Sequence, residues 1–158
     1  MEHPQVRILP HDTKEEFRSE DILRMWLLNG LRGRGGVYHL RSKDAVADLP
    51  PGSVVLFRCD KVIVGEAVVQ KDKEVFHENL KGRTLSGESA EYEAQVIFAP
   101  SSIRLYAPPL EVDRLQEHIK AHGMDKNILQ NAGVRPVLNW DIYACVLQDV
   151  AERGSFIS

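Results

Sequence analysis

Four cations crowd the stretch from Asn29 to Lys43: Arg32, Arg34, Arg41 and Lys43, with no acidic residue among them. Gly30, Gly33, Gly35 and Gly36 are interleaved. Glycine lets a backbone approach a ligand closely and offers N–H groups, so this pattern suits a phosphate. The competing reading is a helix-to-strand connection with solvated arginines; the neighbouring Tyr38 argues for the first. Ser101, Ser102 and Arg104 form a second small set able to hold phosphate, and ordinary turn chemistry explains the same residues.

Trp26 and Trp140 are the only tryptophans. A base taken out of its stack needs flat apolar walls and polar groups for its edge. Trp140 lies between Asn139 and Asp141, which supply donors and acceptors for a base edge. Tyr38 is a further wall or simply a strand aromatic. Trp26 falls on the apolar face of a helix, where core packing is its first role. His77, Glu78 and Asn79, with Lys81 and Arg83, lie in a polar stretch that in a base-flipping protein would enter a groove.

Catalysis and metal chemistry find little support. His118 and His122 stand four apart on one helix face without the companion glutamate of a zinc motif, which reads as a solvated face. Glu66 and Lys71 are too far apart for the acid-x-Lys arrangement of nucleases. Nucleophile-elbow, P-loop and dinucleotide fingerprints are missing from the sequence. The expectation is a binding protein with no catalytic residue, metal or cofactor.

The 158 residues are of a length for a single domain with its own core. A net charge of −3 argues against a protein that coats nucleic acid by bulk charge, but leaves room for a local basic patch. Cys59 and Cys145 are both set in apolar, strand-like sequence and read as buried thiols in a reducing compartment. The first residues do not resemble a signal peptide, and no apolar run is long enough to span a bilayer. A soluble cytoplasmic protein is expected.

The elements that must position these side chains follow from the pattern. Val6 to Leu9 reads as an edge strand stopped by Pro10. Thr13 and Glu16 have capping-box spacing ahead of an apolar helical stripe that Asn29-Gly30 should stop. Strands are expected at 37–40, 53–58, 62–69, 92–98 and 103–106, the last ended by Pro108-Pro109, and a closing strand at 142–150. Gly65 inside a strand marks a bend or a close backbone approach. Residues 70–90 read as a long polar loop. A helix at 112–119 ends at Gly123, and a short one is expected at 126–131. The sum is one α+β domain over residues 1–158: a small mixed barrel of about six strands flanked by two to three helices.

The segment from Gly36 to Val69 resembles the opening of PUA-like domains of the EVE, ASCH and YTH type. The resemblance rests on Val37-Tyr-His-Leu40, on Leu49-Pro-Pro-Gly-Ser-Val-Val-Leu-Phe57 and on Val64-Gly-Glu-Ala-Val68. Ser53 stands where those domains often have Asp. Roughly half of the chain is covered. The resemblance implies a barrel that binds DNA or RNA. EVE and YTH members hold a modified base in an aromatic pocket, and some serve as the reader module of modification-dependent restriction endonucleases.

Joined to the residues above, this gives an expected mechanism for reading a modified base by flipping it. Arg32, Arg34 and Lys43 fix the backbone, Trp140 and Tyr38 sandwich the base, and Asn139 and Asp141 test its edge. Three alternatives stay open: an ASCH-like RNA-binding regulator, a small nucleotide or nucleoside hydrolase using Glu66 or Lys71, and a protein-interaction module.

Overall fold

Pro50-Pro51-Gly52 turns the chain into β3 (Val54–Cys59), and Asp60, in the left-handed region at φ 51°, turns it back into β4 (Val62–Arg83). This computed structural model describes residues 3–11, 19–44, 49–84, 87–124, 129 and 136–158. The hairpin is the centre of the fold. On one side β3 pairs in parallel with β1 (Val6–His11), which pairs in turn with β7 (Val137–Leu138). On the other side β4 pairs along its length with two strands. Its start meets β6 (Arg104–Glu111), which carries β8 (Ser155–Ile157), and its remainder meets β5 (Ser89–Phe98), which carries β2 (Val37–Leu40).

The α+β class is as expected, but the closed barrel of six strands is not. Eight strands form one sheet in the order β2-β5-β4-β3-β1-β7, with β6 and β8 branching from β4. Among the described residues the sheet stays open, since β2 and β7, the ends of that order, each have a partner on one side only.

Two core clusters cover opposite sides of the hairpin. Val55 and Phe57 of β3 face one, with Val64, Val96 and Phe98; Val54 and Leu56 face the other, with Ile63 and Tyr106. Every residue of β3 is therefore buried, Arg58 with them, the burial that its four leading apolar residues demand. The first cluster is closed by α1 (Glu20–Met25) and the π-helical segment that continues it (Trp26–Leu31). Leu23, Leu27 and Leu31, four apart, are all fully buried. The second is closed by α2 (Val112–Ala121) and α3 (Trp140–Arg153) through Leu115, Ile119, Ile142 and Val146.

Several expected elements are corrected. Residues 142–150 belong to helix α3: Ile142, Val146, Asp149 and Val150 are buried at helical spacing, Asn139 caps the start and Arg153 closes the end. Of residues 70–90, those described (70–84 and 87–90) are an arm, made mostly of the far part of β4 and the start of β5, and not a loop. β4 departs from regular register after Val69, Lys71 and Val75, and such bulges hide strand periodicity. Asn29-Gly30 does not stop the first helix. A Cβ on Gly30 would lie 2.5 Å from Trp26 Cδ1, so the glycine makes room for the indole.

β6 runs through Pro108 and Pro109, which fall where its pairing with β4 skips from Leu105 to Leu110, so no ladder hydrogen bond to β4 is lost. β1 is flanked on both sides and is no edge strand. Gly65 is a close approach as expected, since a Cβ there would lie 2.4 Å from the Arg104 carbonyl oxygen. Cys59 is buried, Cys145 is only half-buried on α3, and neither is in a disulfide among the described residues. The helix expected at 126–131 lies outside the described residues except for Leu129, and Thr13 and Glu16 lie outside them altogether. Among the described residues no helix is long and apolar enough to cross a membrane.

Candidate functional site

β4 and β6 set Arg104 directly opposite Glu66. Glu66 is 2% exposed in the apolar opening stretch of β4. A carboxylate so deep must be hydrogen-bonded to be tolerated, and three groups converge on it. The Tyr106 hydroxyl donates to Oε1 at 2.7 Å and the Tyr143 hydroxyl to Oε2 at 2.5 Å. Arg104 Nε lies 3.4 Å from Oε2. Burial, then Glu66, pushes both phenols above their usual range, so they stay protonated and keep donating.

Outside this network the arrangement opens to solvent. The Arg104 guanidinium carbon sits 4.0 Å above the Phe156 ring, a stacked cation held from behind by Glu66. Trp140 precedes Tyr143 by three residues on α3, and the two rings meet at 5.8 Å and 76°. Trp140 remains 45% exposed. The structure thus joins Arg104 directly, and Trp140 through Tyr143, to a carboxylate read earlier only as a possible catalytic group. With its oxygens occupied by two hydroxyls and a guanidinium, Glu66 acts as an anchor: it fixes the rings and the cation and leaves the indole face and the outer guanidinium edge for a ligand.

The other predicted residues lie elsewhere. Asn139 spends its side-chain oxygen on the Ile142 N–H at 2.8 Å, as the cap of α3, and its amide nitrogen is 3.9 Å from Met124 Sδ. Asp141 is exposed in the first turn, where a negative charge suits the helix dipole. Ser102 accepts from the Val68 N–H and donates to the Ala99 carbonyl, the ordinary turn chemistry; Ser101 is exposed in the same turn. Arg32 donates to the Ile103 carbonyl at 2.7 Å and straps the first helix to that turn. Lys71 is exposed and pairs with Glu74, away from Glu66.

Tyr38 is set at the other end of the sheet, on β2, while Trp140 follows β7. Its hydroxyl is 2.7 Å from His11 Nε2, and its ring packs among Trp26, Phe57 and Phe98 in the first cluster. Tyr143, which carries Trp140, packs on the second cluster. The expected sandwich of Tyr38 and Trp140 is therefore not brought together, and Trp26 keeps its role in the core. Arg34 touches His39 at 2.9 Å; Arg41 and Lys43 are exposed beyond β2.

A second buried carboxylate was not foreseen. Asp149 of α3, 4% exposed, accepts two bonds from Arg114 at 3.0 and 2.8 Å and lies 2.9 Å from His118 Nε2. The Arg114 bonds, aided by His118, hold Asp149 below the usual carboxylate range. His118 is thus part of a cross-link between α2 and α3, and not a solvated residue. Among the described residues no cluster of three or more histidine, cysteine or acidic side chains could hold a metal. One signal for the Glu66 site was present in the sequence: a lone carboxylate inside the apolar run 62–69. Set beside models of protein families the chain gives no match, and set beside curated proteins it gives none either.

Proposed function

We propose that this chain binds nucleic acid and reads a modified base, turned out of its strand, at the corner formed by Trp140, Tyr143 and Arg104. The observation that carries this reading is the exposed Trp140 indole against the Tyr143 ring, whose hydroxyl shares a buried glutamate with the Arg104 guanidinium. Stacking on an aromatic face is worth about 1–3 kcal/mol per base, and a preset planar cation pairs with a base edge or a phosphate. Asp141 is the acceptor at the rim; Asn139, committed to its cap, is not. Support for the finer fold reading, an open variant of the PUA-like EVE type, comes from the 36–69 segment. DNA is the expected partner, with RNA next, and a nuclease is the natural companion.

The test is Trp140→Ala in a binding assay with modified and unmodified oligonucleotides. The variant should lose the preference while keeping its fold; an unchanged preference removes the pocket from Trp140. Hydrolysis of a nucleotide or nucleoside is the second reading, drawn from the burial of Glu66. Turnover by the purified protein that vanishes in a folded Glu66→Gln variant would put it first.

A further inference from the structure

The arm and β2 bring together three rings that belong to neither core cluster. His39 of β2 lies 5.2 Å from Tyr92 of β5, tilted by 41°, and 6.1 Å from Phe76 of β4, at 71°. All three are half-buried. Tyr92 lies over Gly82, where a Cβ would come within 3.3 Å of its Cε2, so the glycine lets the ring settle against the strand. Arg34 reaches His39 at 2.9 Å. Burial, with Arg34 adding to it, holds the imidazole below its usual range, so near neutral pH it offers an uncharged face.

Cations stand on the β2 side of the rings. Arg34, Arg41 and Lys43 are exposed around β2. Of the nearby acids, Asp72 accepts from the Leu49 and Lys73 N–H groups, Glu93 from the Lys43 N–H, and Glu74 pairs with Lys71, while Asp44, Glu78 and Glu91 are exposed. Next to the rings the arm is irregular, with residues 76–79 of β4 opposite Glu93 alone. Val75 and Leu80, flanking that bulge, are 51% and 41% exposed. A two-stranded ribbon is marginal in water by itself, and this one leaves apolar side chains uncovered.

From this geometry we infer that His39, Tyr92 and Phe76, with Arg34, form a stacking platform for the unpaired bases of a single nucleic-acid strand. The inference rests on the nucleic-acid reading but not on the Trp140 corner. Aromatic faces take any base, and exposed cations take the phosphates between them. The platform therefore adds affinity without selecting a modification, whereas the Trp140 corner selects.

Fluorescence anisotropy with labelled oligothymidine, and with matched modified and unmodified strands, tests it on the whole chain. Tyr92→Leu and His39→Gln should each weaken oligothymidine binding by about fivefold or more, within the range of one stacked base, and leave the modified-to-unmodified ratio unchanged. Either variant that folds, checked by circular dichroism, suffices for the comparison. In the unaltered protein the His39 ring protons should shift when oligothymidine is added. Unchanged affinity with unmoved His39 signals overturns the platform, even if Trp140→Ala abolishes the preference. A change in oligomeric state on mutation, without loss of oligothymidine binding, overturns it too and makes this face a contact between copies. If the wild type binds no oligonucleotide, the platform and the reading beneath it fall together.

Discussion

The two corners of the sheet treat tyrosine hydroxyls in opposite ways. At the β4–β6 corner, Tyr106 and Tyr143 serve a buried carboxylate, and a guanidinium completes the set. At the β2 corner, Tyr38 sets its hydroxyl against one buried histidine and its ring against Trp26, Phe57 and Phe98. The first corner is polar inside and aromatic outside; the second is aromatic inside. A buried charge holds its neighbours in fixed places because each lost partner leaves another unsatisfied, whereas a packed ring tolerates the loss of a hydroxyl. The polar corner is thus the preorganised one, and its rim is where a ligand would find fixed groups.

The sharpest way to break this contrast is Glu66→Ala. It removes the common acceptor of two hydroxyls and a guanidinium, and denaturant unfolding should show a loss of about 3–5 kcal/mol. Stability equal to wild type would show the network to be incidental. Asp149→Asn applies the same rule to α3, with a smaller loss of about 1–3 kcal/mol, since His118 and Arg114 still reach water. The folded Asp149 is held below its unfolded value, so its contribution is present at neutral pH. It is lost as pH falls from about 4, the ordinary carboxylate range, through the folded value. The variant's stability should fall less steeply over that interval. Tyr38→Phe, at the apolar corner, should cost only about 0.5–1.5 kcal/mol; a loss matching that of Glu66→Ala would erase the distinction. The smallest effect is spectroscopic. His39 should titrate below its usual value of about 6.5 in an NMR pH series, and Arg34→Ala should move the midpoint upward.

Much of this was legible in the residues. The Pro-Pro-Gly launch and the doubly apolar run gave the β3–β4 hairpin, and Leu115, Ile119 and Gly123 gave α2. The stretch 142–150 misled because Ile, Tyr and Val favour strands; the Asn139 cap and the four-residue spacing of Ile142 and Val146 were the better guide. The arm was hidden because bulges break alternation and its faces are polar. Site residues were harder, since their grouping is set by long-range pairing. Arg104 meets Glu66 only through the β4–β6 register, and Trp140 joins them only because its segment is a helix that also presents Tyr143. The Tyr38–Trp140 sandwich failed for the same reason, being a guess at which two strands close on each other.

The most direct test of the central claim is anisotropy of the intact chain against matched DNA and RNA oligonucleotides, unmodified or with methylated or hydroxymethylated bases, at two salt concentrations. The account predicts a preference for one modified base of about tenfold or more, roughly 1.4 kcal/mol, that persists at the higher salt. Equal binding across all modifications that collapses with salt would contradict it, leaving only a charged surface.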